Sequence, residues 1–278
     1  MIDLHSHTTA SDGTFSPAEL IEAAATAGLD ALAITDHDTF AGYQAAQQFA
    51  EQRGVRLLCG IELSTKANTG RRQTVHLLGY FLRQPPAQQF CDWLIRMQES
   101  RRDRNCRLAE RLQSMGFDIR IEEVEALGRS MAGRPHFARL MVSKGYAPNY
   151  RAAFDLYLDE SAPGYVDREE PSLEEGIRRI AEAGGLSSIA HPIRLGLPPD
   201  AEESLISGCT AHGLSALEAY HSDQGAEDTQ RYLAVAERYG LRVTGGSDFH
   251  GDNKPGVRLG TGPGRLHVPV SVLEALLA

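Results

Sequence analysis

A chain of 278 residues with 42% apolar and 23% charged residues is long enough to bury one sizeable core, and α/β barrels commonly reach this length as a single domain. No window approaches the roughly 18 uninterrupted apolar residues of a membrane span. The opening residues lack the basic start and apolar run of a secretion signal, and a net charge of −9 excludes an all-over basic coat for nucleic acid, so a soluble cytoplasmic protein is expected.

Taken in chain order, short apolar runs alternate with helical patterns, which predicts repeated βα units around a parallel sheet. Met1 to Leu4 is the first strand candidate. Ser16-Pro17-Ala18-Glu19 then supplies a capping box with proline at the first helical position, and Gly28 closes that helix. Ala31 to Thr35 is the second strand, Gly54 stops the helix after it, and Arg56 to Leu63 and Thr74 to Tyr80 are the third and fourth strands. From about Trp93 to Val166 the alternation stops. Helices are predicted there over Asn105 to Met115, Pro135 to Lys144 and Asn149 to Leu158, with breaks at Gly116, Gly128, Gly133 and Gly145. Ser172-Leu173-Glu174-Glu175 opens a further helix that ends at Gly184-Gly185. Leu186 to Ala190, Ala216 to Tyr220 and Arg242 to Gly246 complete seven strands, with Gly213 and Gly240 ending the helices before the last two. The expected fold is α/β: a (β/α)7 barrel from residues 1–95 and 166–278, interrupted by a small helical insertion over 96–165.

The four cysteines, Cys59, Cys91, Cys106 and Cys209, show no CxxC spacing, so neither a zinc knuckle nor a disulfide framework is expected. The histidines are placed differently. His5 and His7 follow the first strand two residues apart, so in an extended chain both imidazoles point to one side, as chelation of one metal requires. Asp36-His37 ends the second strand, Glu62 lies near the end of the third, and His76 lies in the fourth. His191 ends the fifth, Glu218 and His221 flank the end of the sixth, and Asp248 and His250 follow the seventh, with Asp12 in the loop after the first. A single histidine of this kind is more often a hydrogen-bonded core or surface residue. The succession of them at strand ends points to a metal site on the face where β/α barrels carry function. Imidazole with carboxylate suits manganese, zinc or iron and argues against magnesium alone, and there are more ligands than one ion can use. Several ions close together suit in-line hydrolysis of phosphate esters.

The run Asp3-Leu4-His5-Ser6-His7, with Asp12-Gly13, Ile34-Thr35-Asp36-His37, Gly60-Ile61-Glu62, Ala190-His191-Pro192 and Ser247-Asp248-Phe249-His250, resembles the polymerase and histidinol phosphatase (PHP) family, whose fold is a distorted seven-stranded β/α barrel. The resemblance implies two or three divalent ions, manganese first among them. One would be held by His5, His7, Glu62 and Asp248, a second by Glu62, His76 and His191, and a third by Asp12, His37 and His250, while Asp3 and Asp36 would orient ligating imidazoles.

The insertion residues Ala132-Gly133-Arg134-Pro135-His136-Phe137-Ala138-Arg139, with Lys144-Gly145-Tyr146 and Ala153-Phe154-Asp155-Leu156-Tyr157-Leu158, are similar to the branch that removes the 3′-phosphate from nucleoside 3′,5′-bisphosphates. Members of that branch also trim short RNA from its 5′ end. Arg101 to Arg151 carries eleven basic against six acidic residues on an otherwise acidic chain, either a salt-bridged helical surface or a receiver of an anionic substrate. Arg134, Arg101, Arg104 and Arg194 are the candidates to bind the 5′-phosphate. Asp248 or a ligating histidine is the candidate proton carrier, and His221 a candidate acid or phosphate ligand. Three alternatives stand beside this reading: a histidinol phosphatase, a non-catalytic PHP module, and an amidohydrolase. The last often uses a carbamylated lysine at a strand end, where none of Lys66, Lys144 and Lys254 falls. The expected partners are a nucleotide or a short 5′-phosphorylated RNA, with no membrane and no obligate protein partner.

Overall fold

The computed structural model describes residues 1–68, 72–128, 132–168 and 170–278. Seven strands form one sheet in sequence order: β1 (Ile2–Asp3), β2 (Ala31–Ile34), β3 (Leu57–Asn68), β4 (Arg72–Phe81), β5 (Leu186–Ile189), β6 (Ala216–His221) and β7 (Arg242–Gly246). The helices are α1 (Pro17–Thr26), α2 (Ala41–Arg53), α3 (Gln88–Ser114), α4 (Ile121–Gly128), α5 (Arg134–Ser143), α6 (Tyr150–Ala153), α7 (Leu173–Glu182), α8 (Pro199–Thr210), α9 (Ala226–Arg238) and α10 (Val270–Leu277). Among the described residues no helix is long and apolar enough to cross a membrane. The chain divides into two compact units, Met1–Cys91 with Glu170–Ala278, and Asp92–Glu169.

The first unit is a nearly closed barrel. The Leu4 amide donates to the Gly245 carbonyl at 3.1 Å, the His7 amide to the Phe249 carbonyl at 2.9 Å and the Asp248 amide to the His5 carbonyl at 2.8 Å, which joins the first strand segment to the last. The two chains approach so closely that a Cβ on Gly246 would strike the backbone nitrogen and Cβ of His5. Leu4, Ala33, Leu58, Leu78 and Tyr80 pack together with Leu273 and Leu276 of α10, while Leu20, Ile21 and Ala24 of α1 bury their stripe with Leu32, Ile34 and Ala46. Tyr80 is buried, and its hydroxyl donates to the Leu4 carbonyl at 2.9 Å, which satisfies its polar end. Ser16 and Ser172 cap α1 and α7 through the Glu19 and Glu175 amides, and Glu19 reaches back to complete the capping box.

All seven strands stand where the apolar runs put them, but the sheet is not wholly parallel. β3 pairs antiparallel with β4 from Cys59↔Phe81 to Asn68↔Arg72, and β4 pairs antiparallel with β5. Among the described residues no helix separates β3 from β4. The fourth strand therefore brings its amino-terminal half, with His76, to the face that the other strands reach with their carboxyl ends.

The second unit is helical. Leu108, Leu112, Ile119, Val124, Phe137, Met141 and Leu158 form its core. The expected helix from Asn105 is the last part of the 27-residue α3, α4 was not expected, and the helix over Asn149 to Leu158 divides into α6 and a π-helical turn, Phe154–Leu158.

Candidate metal centre

Glu62 is the hub. It is 1% exposed, and its Oε2 lies 3.4 Å from His5 Nε2, 3.1 Å from His7 Nε2 and 3.2 Å from His37 Nδ1. Its Oε1 faces His76 Nδ1 and His191 Nε2, each at 3.0 Å. Asp248 Oδ1 stands 3.5, 3.4 and 3.3 Å from His5, His7 and His250. Asp12 reaches His250 Nε2 at 3.2 Å, His7 Nδ1 at 3.6 Å and His37 Nε2 at 3.7 Å. All nine residues expected to bind metal thus lie in one cluster, and their ligand atoms form overlapping groups within 4.8 Å of one another. His37 stands between Glu62 and Asp12, so it belongs geometrically to two of these groups.

The donor set fits divalent metal on a local observation. His5 Nε2, His7 Nε2, His37 Nδ1 and His221 Nε2 are buried without a hydrogen-bond partner. Buried polar atoms left unpaired are costly, and a divalent ion among these nitrogens would satisfy them. The electrostatics agree. Burial would raise the pKa of Glu62, but His37, His76 and His5 outweigh it and hold the carboxyl well below its usual range. Burial lowers His37 to about 3 and His191 to about 4, which keeps both lone pairs available at neutral pH. Burial opposes protonation of His7 too, yet Asp248 and Glu62 raise it to about 9. The cluster thus concentrates negative charge on which bound cations would be welcome.

Backbone strain helps to aim the ligands. Only three described residues other than glycine have positive φ, and two of them are His191 at 29° and Asp248 at 55°; such conformations persist where the surroundings over-determine them. Glu218 is the residue that the sequence reading left without a role. Fully buried on β6, it takes His5 Nδ1 at 2.9 Å on one oxygen and the His191 amide at 2.5 Å on the other. It therefore does for His5 what had been expected of Asp3 and Asp36. Asp3 instead accepts from the amides of His5, Ser247 and Gly260 and the Ser247 hydroxyl, bracing the barrel seam. Asp36 accepts from the Thr8 amide, the Thr8 hydroxyl and the Ser11 hydroxyl, and reaches His7 only through Ser11 Oγ, 3.4 Å from His7 Nδ1. Both carboxylates spend their oxygens on these backbone and hydroxyl donors and pair with no ring directly.

His221 is buried, and its Nδ1 accepts the Asp223 amide at 3.1 Å, which places the ring proton on Nε2, 3.4 Å from Asp248 Oδ2. Arg194 is also at the cluster, but its guanidinium is engaged by Asp248 at 2.7 Å and by Asp223 at 2.6 and 2.7 Å. Arg101, Arg104 and Arg134 lie in the second unit. Arg134 donates to the Leu158 carbonyl at 3.4 Å and lies over the Tyr165 ring, while Arg104 is buried and donates to Asn105. Lys66, by contrast, pairs with Glu170 at 3.2 Å.

Comparison with known proteins decides the family. The PHP domain model matches residues 3–162. The chain belongs to the PHP family. It is 34% identical over 93% of its length to a 3′,5′-nucleoside bisphosphate phosphatase of Chromobacterium violaceum, of which 90% is covered. It is 32% identical over 89% of its length to a 5′-3′ exoribonuclease of Haemophilus influenzae, covering 89% of that protein. The solved structure of an amidohydrolase from Chromobacterium violaceum with bound sulfate superposes with a TM-score of 0.83 at 33% identity, covering 99% of this chain and 96% of that one. This PHP protein is a phosphate-ester hydrolase of a metal-dependent family.

Proposed function

We propose that the enzyme removes the 3′-phosphate from nucleoside 3′,5′-bisphosphates, using two or three divalent ions, manganese foremost, at the Glu62 cluster. The observation that carries this reading is the convergence of nine imidazole and carboxylate ligands on one barrel face, in a chain aligned along 93% of its length with a bisphosphate phosphatase. His5, His7, Glu62 and Asp248 would hold one ion, Glu62, His76 and His191 a second, and Asp12, His37 and His250 a third. Bound there, the ions would supply an activated water and neutralise charge on the phosphoryl oxygens. The chain's own groups do the rest. Glu218 fixes the tautomer of His5 by accepting from Nδ1, leaving Nε2 to face Glu62. His221 presents its Nε2–H beside Asp248, placed to hydrogen-bond a phosphoryl oxygen or the leaving 3′-oxygen, and Asp248 can take a proton from the attacking water and pass it to that oxygen. Arg134, with Arg101 and Arg104, is assigned the remote 5′-phosphate.

The test is phosphate release by the manganese-loaded enzyme from adenosine 3′,5′-bisphosphate, AMP, 3′-AMP, histidinol phosphate and a short 5′-phosphorylated RNA. The bisphosphate should be preferred, with AMP as product. Arg134→Ala should lose about 10- to 100-fold against the bisphosphate, the worth of a hydrogen-bonded charge pair, and much less against an aryl phosphate. Preference for histidinol phosphate would overturn the substrate and leave the barrel chemistry standing. The exoribonuclease relative supports a second substrate class on the same site, 5′-phosphorylated RNA trimmed from its 5′ end.

A further inference from the structure

The two oxygens of Asp248 have divided surroundings. Oδ1 faces the rings of His5, His7 and His250 at 3.3 to 3.5 Å. Oδ2 faces two cations, the guanidinium of Arg194 at 2.7 Å and the ammonium of Lys254, with His221 Nε2 at 3.4 Å. Two full positive charges on one carboxylate oxygen are more than that oxygen needs, and they are not held alike. Arg194 is clamped from its other side by Asp223 through both Nε and Nη2. Among the described residues the Lys254 ammonium hydrogen-bonds only to Asp248, through Oδ2 and through the main-chain carbonyl at 3.4 Å. Its side chain is 29% exposed where that of Asp248 is 2% exposed, so it bridges the buried cluster and solvent.

Its backbone, by contrast, is fixed. The Asp252 amide donates to Thr14 Oγ1 at 2.9 Å, the Asn253 side chain to the Asp12 carbonyl at 2.5 Å and the Lys254 amide to the Gly251 carbonyl at 3.1 Å. Gly251 has a φ of 63°, and a Cβ there would run into Thr14. The loop is thereby pinned to the segment that carries Asp12. A rigid base with a flexible four-carbon stem lets the ammonium move among nearby oxygens without moving the chain.

We propose that Lys254 is a substrate-binding, specificity-determining residue that exchanges its ion pair with Asp248 for an oxygen of the reacting phosphoryl group, an inference that rests on the phosphoesterase reading of this cluster. In the substrate-free site the ammonium caps Asp248. An arriving phosphate monoester carries close to two negative charges and offers a stronger partner, whereas a diester carries one and has fewer terminal oxygens. Lys254 therefore favours monoesters, and Arg194, locked between two carboxylates, keeps Asp248 oriented when Lys254 leaves it.

The experiment compares the parent chain, Lys254→Met and Lys254→Arg with p-nitrophenyl phosphate and bis-p-nitrophenyl phosphate. Manganese content and calorimetric binding of inorganic phosphate are measured on the same samples. Lys254→Met should lose about 10- to 100-fold in kcat/KM for the monoester, with phosphate binding weakened in parallel, but under about threefold for the diester, since one hydrogen bond to a charged group is removed. Metal content should not change, and Lys254→Arg should recover most of the monoester activity. Equal losses on the two esters, unchanged phosphate binding, or metal lost together with activity would overturn the proposal, the last by reducing Lys254 to a support for Asp248. A parent inactive on both esters would overturn the phosphoesterase reading and this proposal with it; an active parent matched by Lys254→Met would overturn this proposal alone.

Discussion

Glu218→Gln isolates the orienting role of one buried carboxylate. In the parent, Glu218 accepts from two donors, His5 Nδ1 at 2.9 Å and the His191 amide at 2.5 Å. Glutamine has nearly the same shape but only one acceptor oxygen, so its NH2 must confront one of the two donors. If the amide oxygen stays with His5, the His191 amide is left buried and unpaired; if it turns to His191, His5 loses the acceptor that fixes its tautomer. Removing a partner that orients a ligating imidazole costs about 10- to 100-fold in metal affinity, or about 1.4 to 2.7 kcal/mol. The unpaired donor costs about 1–3 kcal/mol of stability besides, which in a protein of this size lowers the melting temperature by about 2–4 °C per kcal/mol. The assay is manganese binding by competition with a chromogenic chelator, with a thermal melt of the metal-free protein alongside. A variant that binds manganese within about twofold of the parent, where at least tenfold is expected, would refute the assignment of Glu218 to His5.

Three further predictions concern the frame of the barrel. Arg231 meets the buried Glu202 at 2.5 Å, so Arg231→Ala should destabilise by about 1–3 kcal/mol in urea unfolding at neutral pH. Burial already raises the pKa of Glu202 above its unfolded value, so protonation relieves the strain. The deficit of the variant should shrink as the pH falls toward about 5, and a deficit that grows on acidification would contradict the argument. Gly246→Ala should cost about 3 kcal/mol or prevent folding, because its Cβ meets the His5 backbone at the seam. Gly208→Ala on α8, where a Cβ meets nothing within 4 Å, should be neutral or stabilising by up to about 1 kcal/mol.

What was legible in the sequence follows from what each signal encodes. Burial writes itself into apolar runs, so all seven strands were readable, β2 among them with every residue buried. Direction does not, since the period of two is the same read either way; the antiparallel course of β4 follows from its ladder with β3, and with it the route by which His76 reaches the cluster. The alternation of His5 and His7 holds beyond the end of β1: Ser6 between them turns the other way and donates to the Ala33 carbonyl at 2.7 Å. Glu218 stood in view as a lone carboxylate inside the apolar run Ala216-Leu217-Glu218-Ala219, and a buried charge at such a place needs a partner. Lys254 carried no comparable sign, because its proximity to Asp248 depends on a loop anchored to Thr14 and Asp12, more than 230 residues away in the chain. The charged middle of α3, Gln98 to Arg104, masked its course back to Gln88, and α4 is only eight residues long.

The central claim is that the Glu62 cluster binds the divalent ions on which phosphate-ester hydrolysis depends. The most direct measurement is a titration of manganese into the chelator-stripped enzyme, with bound metal and phosphate release from adenosine 3′,5′-bisphosphate read on the same samples. No turnover is expected without metal, and activity should rise with bound manganese to a plateau at two or three ions per chain. Full activity in the stripped protein, or a cluster filled with metal that releases no phosphate from this or any other ester, would contradict the claim.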